Sequence, residues 1–558
     1  MLKKYLLLIL VIVIQNPLTA QEDNLPNKHR VYSFLKEMRV KNVLEYYRDD
    51  FQVLSRSQIL SHLNEIEKKK DYLSNTEIKL LNKFKEELSD NLSPQKSSQF
   101  LFPQKNYLNS LSNVFSDKKK YLLAFKDEQN SIFFEGIGHL YHGHLFNPKP
   151  TTNSNLFDGG FRVRGTVIEN IGYNLTVIKG GVSGNSFLAE KLEPRLLSNF
   201  KWVENIENIG NYGFNYGYIR YNTKPYDKMN ISFQIGREDL ELGYGYNDQL
   251  IISGNNPTLD FINFNFDYGI FHLTSIHAST VGEFLPKRED RYTKYLALHK
   301  IKLAFEKFEF GIGEAMVYSG RGIELGYLSP IAFYKFIEME IQDRDNGNFF
   351  FDFKTNAIKN LEIQGTFFLD ENILSNLQDF DRYTNKTAYQ IGAFWYRPFG
   401  IDDLSFICEY TKIRPYVYTH INPKNTYTSF GQNLGHRIGP NADELFFRIN
   451  YNLNEKFRLS GDFAFIRKGK NIFDSNGNLV KNVGGDVFLS HPDFMLNKTA
   501  LFLDGDRWNY TFYSFGFLYE PFNEIIFEVN FNFEVAKQLS TKFEENYSFG
   551  KFKIKLAF

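Results

Sequence analysis

The sequence has 558 residues, with 65 basic and 65 acidic side chains and no formal net charge. That balance offers no electrostatic basis for binding nucleic acid, and a single cysteine, Cys408, excludes an internal disulfide and CxxC metal or redox motifs. Aromatic residues make up 17% of the chain, yet beyond residue 20 no run approaches the roughly 18 apolar residues that a transmembrane helix needs.

The first twenty residues read as a secretory signal. Lys3 and Lys4 precede the apolar run Leu6 to Ile14, and Leu18-Thr19-Ala20 offers a small-residue exit. Residues 21–125 then read as a small α-helical domain. Ser55 to Gln58 and Ser74 to Glu77 are capping boxes. Ile59, Leu60, Leu63 and Ile66 follow the first at helical spacing, and Ile78, Leu81, Phe84 and Leu88 follow the second. An earlier helix carries Tyr32, Leu35 and Met38. These apolar stripes are one-sided, so the helices pack on one another rather than cross a membrane. The expectation is a separate periplasmic domain, free to meet a periplasmic or cell-wall partner.

From residue 126 to 558 the period switches to two. Phe527, Val529, Phe531, Phe533 and Val535 share one face, and Glu528, Asn530, Asn532 and Glu534 the other. Such alternation over nearly the length of a tilted spanning strand suits a wall with lipid on one side and water on the other. Nineteen strand-like segments can be counted, 331–341 among them. Single-chain bacterial barrels take even numbers, so the expected fold is an all-β transmembrane barrel of about 18 antiparallel strands after a small helical domain. The expected location is the outer membrane of a Gram-negative bacterium, with outer-membrane lipid around the wall. In the last strand Phe552, Ile554, Leu556 and Phe558 alternate with Lys551, Lys553, Lys555 and Ala557, a pattern that resembles the signal read by the barrel-assembly machinery. Tight turns such as 521–524 and 452–456 would face the periplasm, and the longer segments 238–260, 412–443 and 467–496 would be outer loops or lumen plugs.

Three glycine-rich segments interrupt the strands. The first runs from Gly236-Arg237 through Leu242-Gly-Tyr-Gly-Tyr246 to Ser253-Gly-Asn-Asn-Pro257; the second contains His299-Lys300, Gly311-Ile-Gly-Glu314 and Tyr327-Leu-Ser-Pro330; the third is Leu434-Gly-His-Arg-Ile-Gly-Pro440. In this order they resemble the Wzi family of capsule-assembly outer-membrane proteins. Departures from the family pattern are Tyr244 for a Trp, Tyr246 for a Pro and Lys300 for an Arg. The resemblance implies an 18-stranded barrel with a helical bundle, acting as a lectin-like holder of capsular or other surface polysaccharide. A gliding-motility accessory barrel of Bacteroidetes is also similar, so a motility or secretion role stands as one alternative and a solute channel as another.

Candidate ligand-binding residues are Arg237, Tyr244, Tyr246, Asn255, Asn256, Glu314 and Arg437. Arg237 and Glu314 are expected as lumen charges. They would either rigidify the barrel through ion pairs or, with the rings of Tyr244 and Tyr246, hold an acidic sugar. His139, His142 and His144 are poor zinc ligands, because only the last two share a strand face. Asp343, Asp345 and Asn346 read as a turn rather than a calcium loop. No cofactor and no metal is called for, and no serine elbow, paired-carboxylate signature or phosphate loop marks an enzyme.

Overall fold

The computed structural model describes residues 21–558 except 52, 91–96, 101–114, 116, 118, 200–209, 283, 284, 286, 343, 371–378, 380 and 492–497. The secretory signal and Asp343 therefore lie outside the described residues.

Eighteen strands form the wall: β1 Ser131–Asn147, β2 Thr152–Val167, β3 Ile171–Gly184, β4 Asn211–Tyr226, β5 Met229–Glu238, β6 Leu259–Tyr268, β7 Phe271–Val281, β8 Thr293–Ala304, β9 Phe308–Ser319, β10 Asn346–Ile358, β11 Leu361–Asp370, β12 Thr387–Tyr396, β13 Leu404–Ile413, β14 Ala442–Asn452, β15 Phe457–Lys470, β16 Asp506–Phe522, β17 Ile525–Gln538 and β18 Glu544–Ala557. Each pairs antiparallel with its chain neighbour, and β18 pairs back to β1 with Ile554 opposite Leu140, which closes the barrel. Connections alternate between short turns at one end, such as 269–270 and 523–524, and long loops at the other, such as 239–258, 414–441 and 471–505. The terminal strands behave as their alternation requires. Phe531, Phe533 and Phe552 are exposed on the outer face, while Glu528 and Asn530 line a cavity in the lumen.

One expected strand is absent. Segment 331–341 belongs to the loop 320–345 and holds a helix, Tyr334–Glu340. Its apolar residues fit both periods: Phe333, Ile337, Met339 and Ile341 alternate, but Tyr334, Ile337, Glu338 and Ile341 also share a helical face.

Three helices precede the wall: α1 Arg30–Val40, α2 Arg56–Glu67 and α3 Asn75–Leu88. Both capping boxes are formed, with Ser55 and Ser74 as N-caps. The helices do pack on one another through Leu35, Leu63 and Leu81, but they are not a separate body, because Phe394, Tyr396, Ile407 and Phe446 of the wall complete the same core. Polar contacts tie them to the turn end. The Tyr396 hydroxyl donates to Glu77 at 2.8 Å, Arg30 pairs with Glu520 at 2.7 Å, and Asn360 N donates to Val40 O at 3.1 Å. The interval read as helical also contains two short strands, Ser97–Phe100 and Leu123–Lys126. The second pairs with the start of β1, in the slot that β18 fills further up. There Phe558 N donates to Gly136 O, and Gly136 N donates to Phe558 O.

The lumen is filled from both ends. Residues 45–51 rise from the turn end, and Asp50 pairs with Lys300 at 2.7 Å and Lys302 at 2.5 Å. The loop 239–258 folds inward to meet them, with Gly243 N donating to Asp50 O at 3.0 Å. Phe51, Leu242, Leu250, Ile251 and Ile252 then share one buried cluster with Leu296, Leu298 and Phe368 of the wall. Each fully buried Leu, Ile or Phe contributes about 1.5–3 kcal/mol, so a loop with four such residues is held inside rather than left in water.

Candidate functional site

At the loop end, residues distant in sequence surround a cleft of about 920 Å³. The third glycine-rich segment, 434–440, forms one side and Asn255 reaches in from the loop 239–258. Lys468 and Lys470 stand at the end of β15, with Trp508 on β16 beside them. Gly439 has φ +65°, and a Cβ there would press on Lys468 Nζ and Asn433 Nδ2, so a glycine suits this turn. Lys468 Nζ donates to Ile438 O at 2.6 Å. Lys470 lies over the Trp508 ring, 4.2 Å from its centroid, and Trp508 Nε1 donates to Asp506 at 2.8 Å. Neither lysine forms an ion pair with a carboxylate among the described residues, although Asp486 and Asp506 also line the cleft.

Arg437 forms the inner edge. Its backbone N donates to Asp248 at 2.8 Å and its guanidinium meets Asp248 and Glu444. Burial pushes the Asp248 carboxyl up to about 7, with Arg437 opposing that shift. Burial likewise holds the neighbouring His436 well below its ordinary value, and Arg437 adds to the effect. The cleft thus offers ammonium and guanidinium groups for an anion, an indole face for the apolar side of a sugar ring, and an amide for hydroxyls.

Of the residues singled out in the sequence, Asn255 and Arg437 line this cleft. Asn256 lies just behind, buried, and its amide donates to Pro257 O. Tyr244 and Tyr246 are instead deep in the lumen. The Tyr244 hydroxyl donates to Glu309 at 2.8 Å between Lys300 and Lys354, and the Tyr246 hydroxyl donates to Glu362 at 3.0 Å. The Tyr244 ring is buried against protein, and the half-buried Tyr246 ring lines the lumen cavity rather than the loop-end cleft. Arg237 and Glu314, expected as lumen charges, are both on the outer face. Arg237 shares the parity of the exposed Phe233 and Ile235 and pairs with Asp260 at 2.9 Å. Glu314 shares the parity of the exposed Phe310 and Ile312 and accepts from Tyr334 N at 2.6 Å. A one-residue difference in parity moves a side chain to the opposite face. His139 points inward to Asp158 at 2.6 Å, whereas on the other face His142 is exposed and His144 half-buried. Asp345 is taken by Arg321 and Tyr327.

Lys468, Lys470 and Trp508 were not singled out by sequence reasoning. The signal was thin: Trp508 is one of three tryptophans, and it stands where a strand emerges from a long loop.

A closed barrel of eighteen antiparallel strands, with an apolar outer band and a lumen filled by its own chain, is an outer-membrane β-barrel protein. The chain belongs to the family described as capsule assembly protein Wzi, whose model matches residues 204–483. Among solved structures it is similar to Wzi of Escherichia coli, an outer-membrane protein involved in group 1 capsule assembly and a carbohydrate-binding barrel. The identity is 12% over 95% of this chain and 99% of that one, with a TM-score of 0.53. OprD of Pseudomonas aeruginosa matches at 8% identity over 76% of this chain and 93% of its own, with a TM-score of 0.42. A BenF-like porin of Pseudomonas fluorescens matches at 8% identity over 77% and 99%, with a TM-score of 0.43. No curated protein sequence matches the chain.

Proposed function

We propose that this protein holds capsular or another surface polysaccharide at the cell surface, through the loop-end cleft. The observation that carries the reading is the juxtaposition of Lys468, Lys470, Arg437 and Asn255 with the Trp508 ring around that cleft. Lys468 and Lys470, which have no carboxylate within ion-pair distance among the described residues, favour a polysaccharide bearing carboxylate groups, and Asp486 and Asp506 in the same lining can accept from its hydroxyls. The loop end then faces outward, and the turn end with its docked helices faces the periplasm, as short turns do in bacterial barrels. Family membership supports the reading, and so does the filled lumen, which suits a binding protein better than a solute channel.

The test is a deletion strain complemented with wild type, with Trp508→Ala and with Lys470→Ala, scored for cell-bound against shed polysaccharide and for surface spreading. Purified protein is titrated in parallel with the polysaccharide of the same strain. Wild-type retention in the deletion strain, together with no binding in vitro, overturns the proposal. A defect in spreading alone would favour the motility role.

A further inference from the structure

The loop segment 320–342 lies on the outer wall of the barrel, not over its mouth. Beneath it, the outward-facing residues of β7, β8 and β9 are not those of a lipid-facing surface. They include Ser275, His277, His299, Glu314 and Tyr318, all at most 8% exposed. His277 and Tyr318 share a hydrogen bond at 2.8 Å, and His299 stands 3.5 Å from Glu314. The loop covers this polar patch. The Tyr334 ring lies tilted against His299 with ring centroids 4.3 Å apart, and its backbone N donates to Glu314. Glu324 N donates to the Tyr318 hydroxyl at 3.1 Å. Tyr327 joins the buried cluster, and Ile337 and Ile341 pack against it.

The other side of the loop is apolar and bare. Leu325 is 76% exposed, Ile331 74%, Phe333 64%, Phe336 66% and Met339 58%. On the helix Tyr334–Glu340, Phe336 and Met339 are spaced i, i+3 and turn away from the wall, opposite Tyr334 and Glu338. Below the loop the same wall is plainly lipid-facing: Ile301, Leu303, Phe310, Ile312, Phe351 and Phe353 line a shallow apolar depression there. The loop sits next to this band on the same strands, toward the loop end. Histidine and glutamate facing acyl chains directly would be costly at that depth, and the loop exchanges them for Phe, Leu, Ile and Met.

We propose that residues 320–342 form a flap embedded in the acyl-chain layer of the leaflet on the loop side, so that this stretch of wall meets lipid through the flap. An interfacial helix with one apolar side is the form that such a contact takes. The occupant is lipid acyl chain rather than protein, because the loop sits on Glu314 and His299, next along the same strands to the lipid-facing Ile312 and Ile301. Tyr327 and Pro330 of the second glycine-rich segment, with His299 and Glu314, then belong to the joint between flap and wall rather than to a ligand site.

The test uses the full chain in proteoliposomes, with Cys408→Ser as background and bimane attached to Phe336→Cys or Met339→Cys. Leu325→Cys, outside the helix, serves if either variant fails to fold. Phe310→Cys marks the lipid-facing wall and Asn476→Cys marks an exposed turn. Fluorescence at the flap positions is expected to be lost to lipids brominated on their acyl chains as at Phe310, and to resist iodide in the water. Quenching by iodide as at Asn476 overturns the proposal. Resistance to both quenchers also overturns it, because the flap would then be covered by protein.

Discussion

Asp50 is the point where the amino-terminal segment is fastened inside the barrel, and Asp50→Asn tests how it is held. The carboxylate is fully buried between the ammonium groups of Lys300 and Lys302. Burial raises its pKa, but the two lysines outweigh this and hold it well below the usual carboxylate range. It is therefore ionised at and above the ordinary carboxylate range. Its contribution is present above the ordinary carboxylate pKa and is lost only as pH falls through the depressed value. Asparagine keeps the shape and removes the charge. Breaking a buried pair by removing one partner costs about 3–5 kcal/mol. The lower end applies here, because Lys300 also meets Asp352 and Lys302 also meets Glu309 at 3.3 Å. A cost of about 3 kcal/mol corresponds to a roughly hundredfold rise in local opening. Hydrogen exchange of residues 45–54 and 240–252 should show that loss of protection in detergent, with the strand amides unchanged. Exchange in Asp50→Asn equal to wild type would refute the idea that this ion cluster fastens the plug.

Replacing Lys470 or Trp508 by alanine should each weaken binding of an acidic polysaccharide by roughly 1 kcal/mol, about fivefold, measured by calorimetry at fixed salt. Asp248 is neutral at low pH when folded and is forced to ionise near 7, so its effect favours the closed loop in acid and fades as pH rises from its unfolded value through about 7. Exchange protection of residues 243–252 should therefore fall between about pH 4 and 7, and the fall should be smaller in Asp248→Asn. The groups facing it are Arg437, His436, Glu409 and Glu444, and their titration would remain. Arg164→Ala would leave Asp23, Asp90 and Glu135 buried around an absent charge, at about 3–5 kcal/mol, and early proteolysis near residues 21–24 and 90 would report it. Deleting Phe558 removes both hydrogen bonds to Gly136, and the amount of folded, heat-modifiable barrel in the membrane fraction should fall.

The strand pattern was legible because each wall strand has one face in lipid. Where the other face meets polar lumen groups, as along 527–535 and 551–558, alternation alone identifies the strand. Eighteen of the nineteen segments counted are wall strands. The helices at 56–67 and 75–88 were legible through their capping boxes, a local interaction written within four residues.

Period-two alternation says which residues share a face, but not which face looks outward once both are covered. That is why Arg237 and Glu314 were placed on the wrong side. The flap buries polar residues on the outer wall, and the plug buries Tyr244 and Leu296 within, so polarity no longer separates lipid from lumen. Segment 331–341 is ambiguous for the same reason, since its apolar residues satisfy both periods until Tyr334 finds Glu314 and His299 beneath it. The cleft needed the tertiary structure altogether. Asn255, Arg437, Lys470 and Trp508 come from four separate stretches of chain and meet only because the barrel closes. By itself the sequence determined the barrel, its capped helices and the motifs that mark its family, all local or periodic features. Closure and the filling of the lumen decided what those motifs touch, because only packing between distant strands and loops assigns each side chain a face.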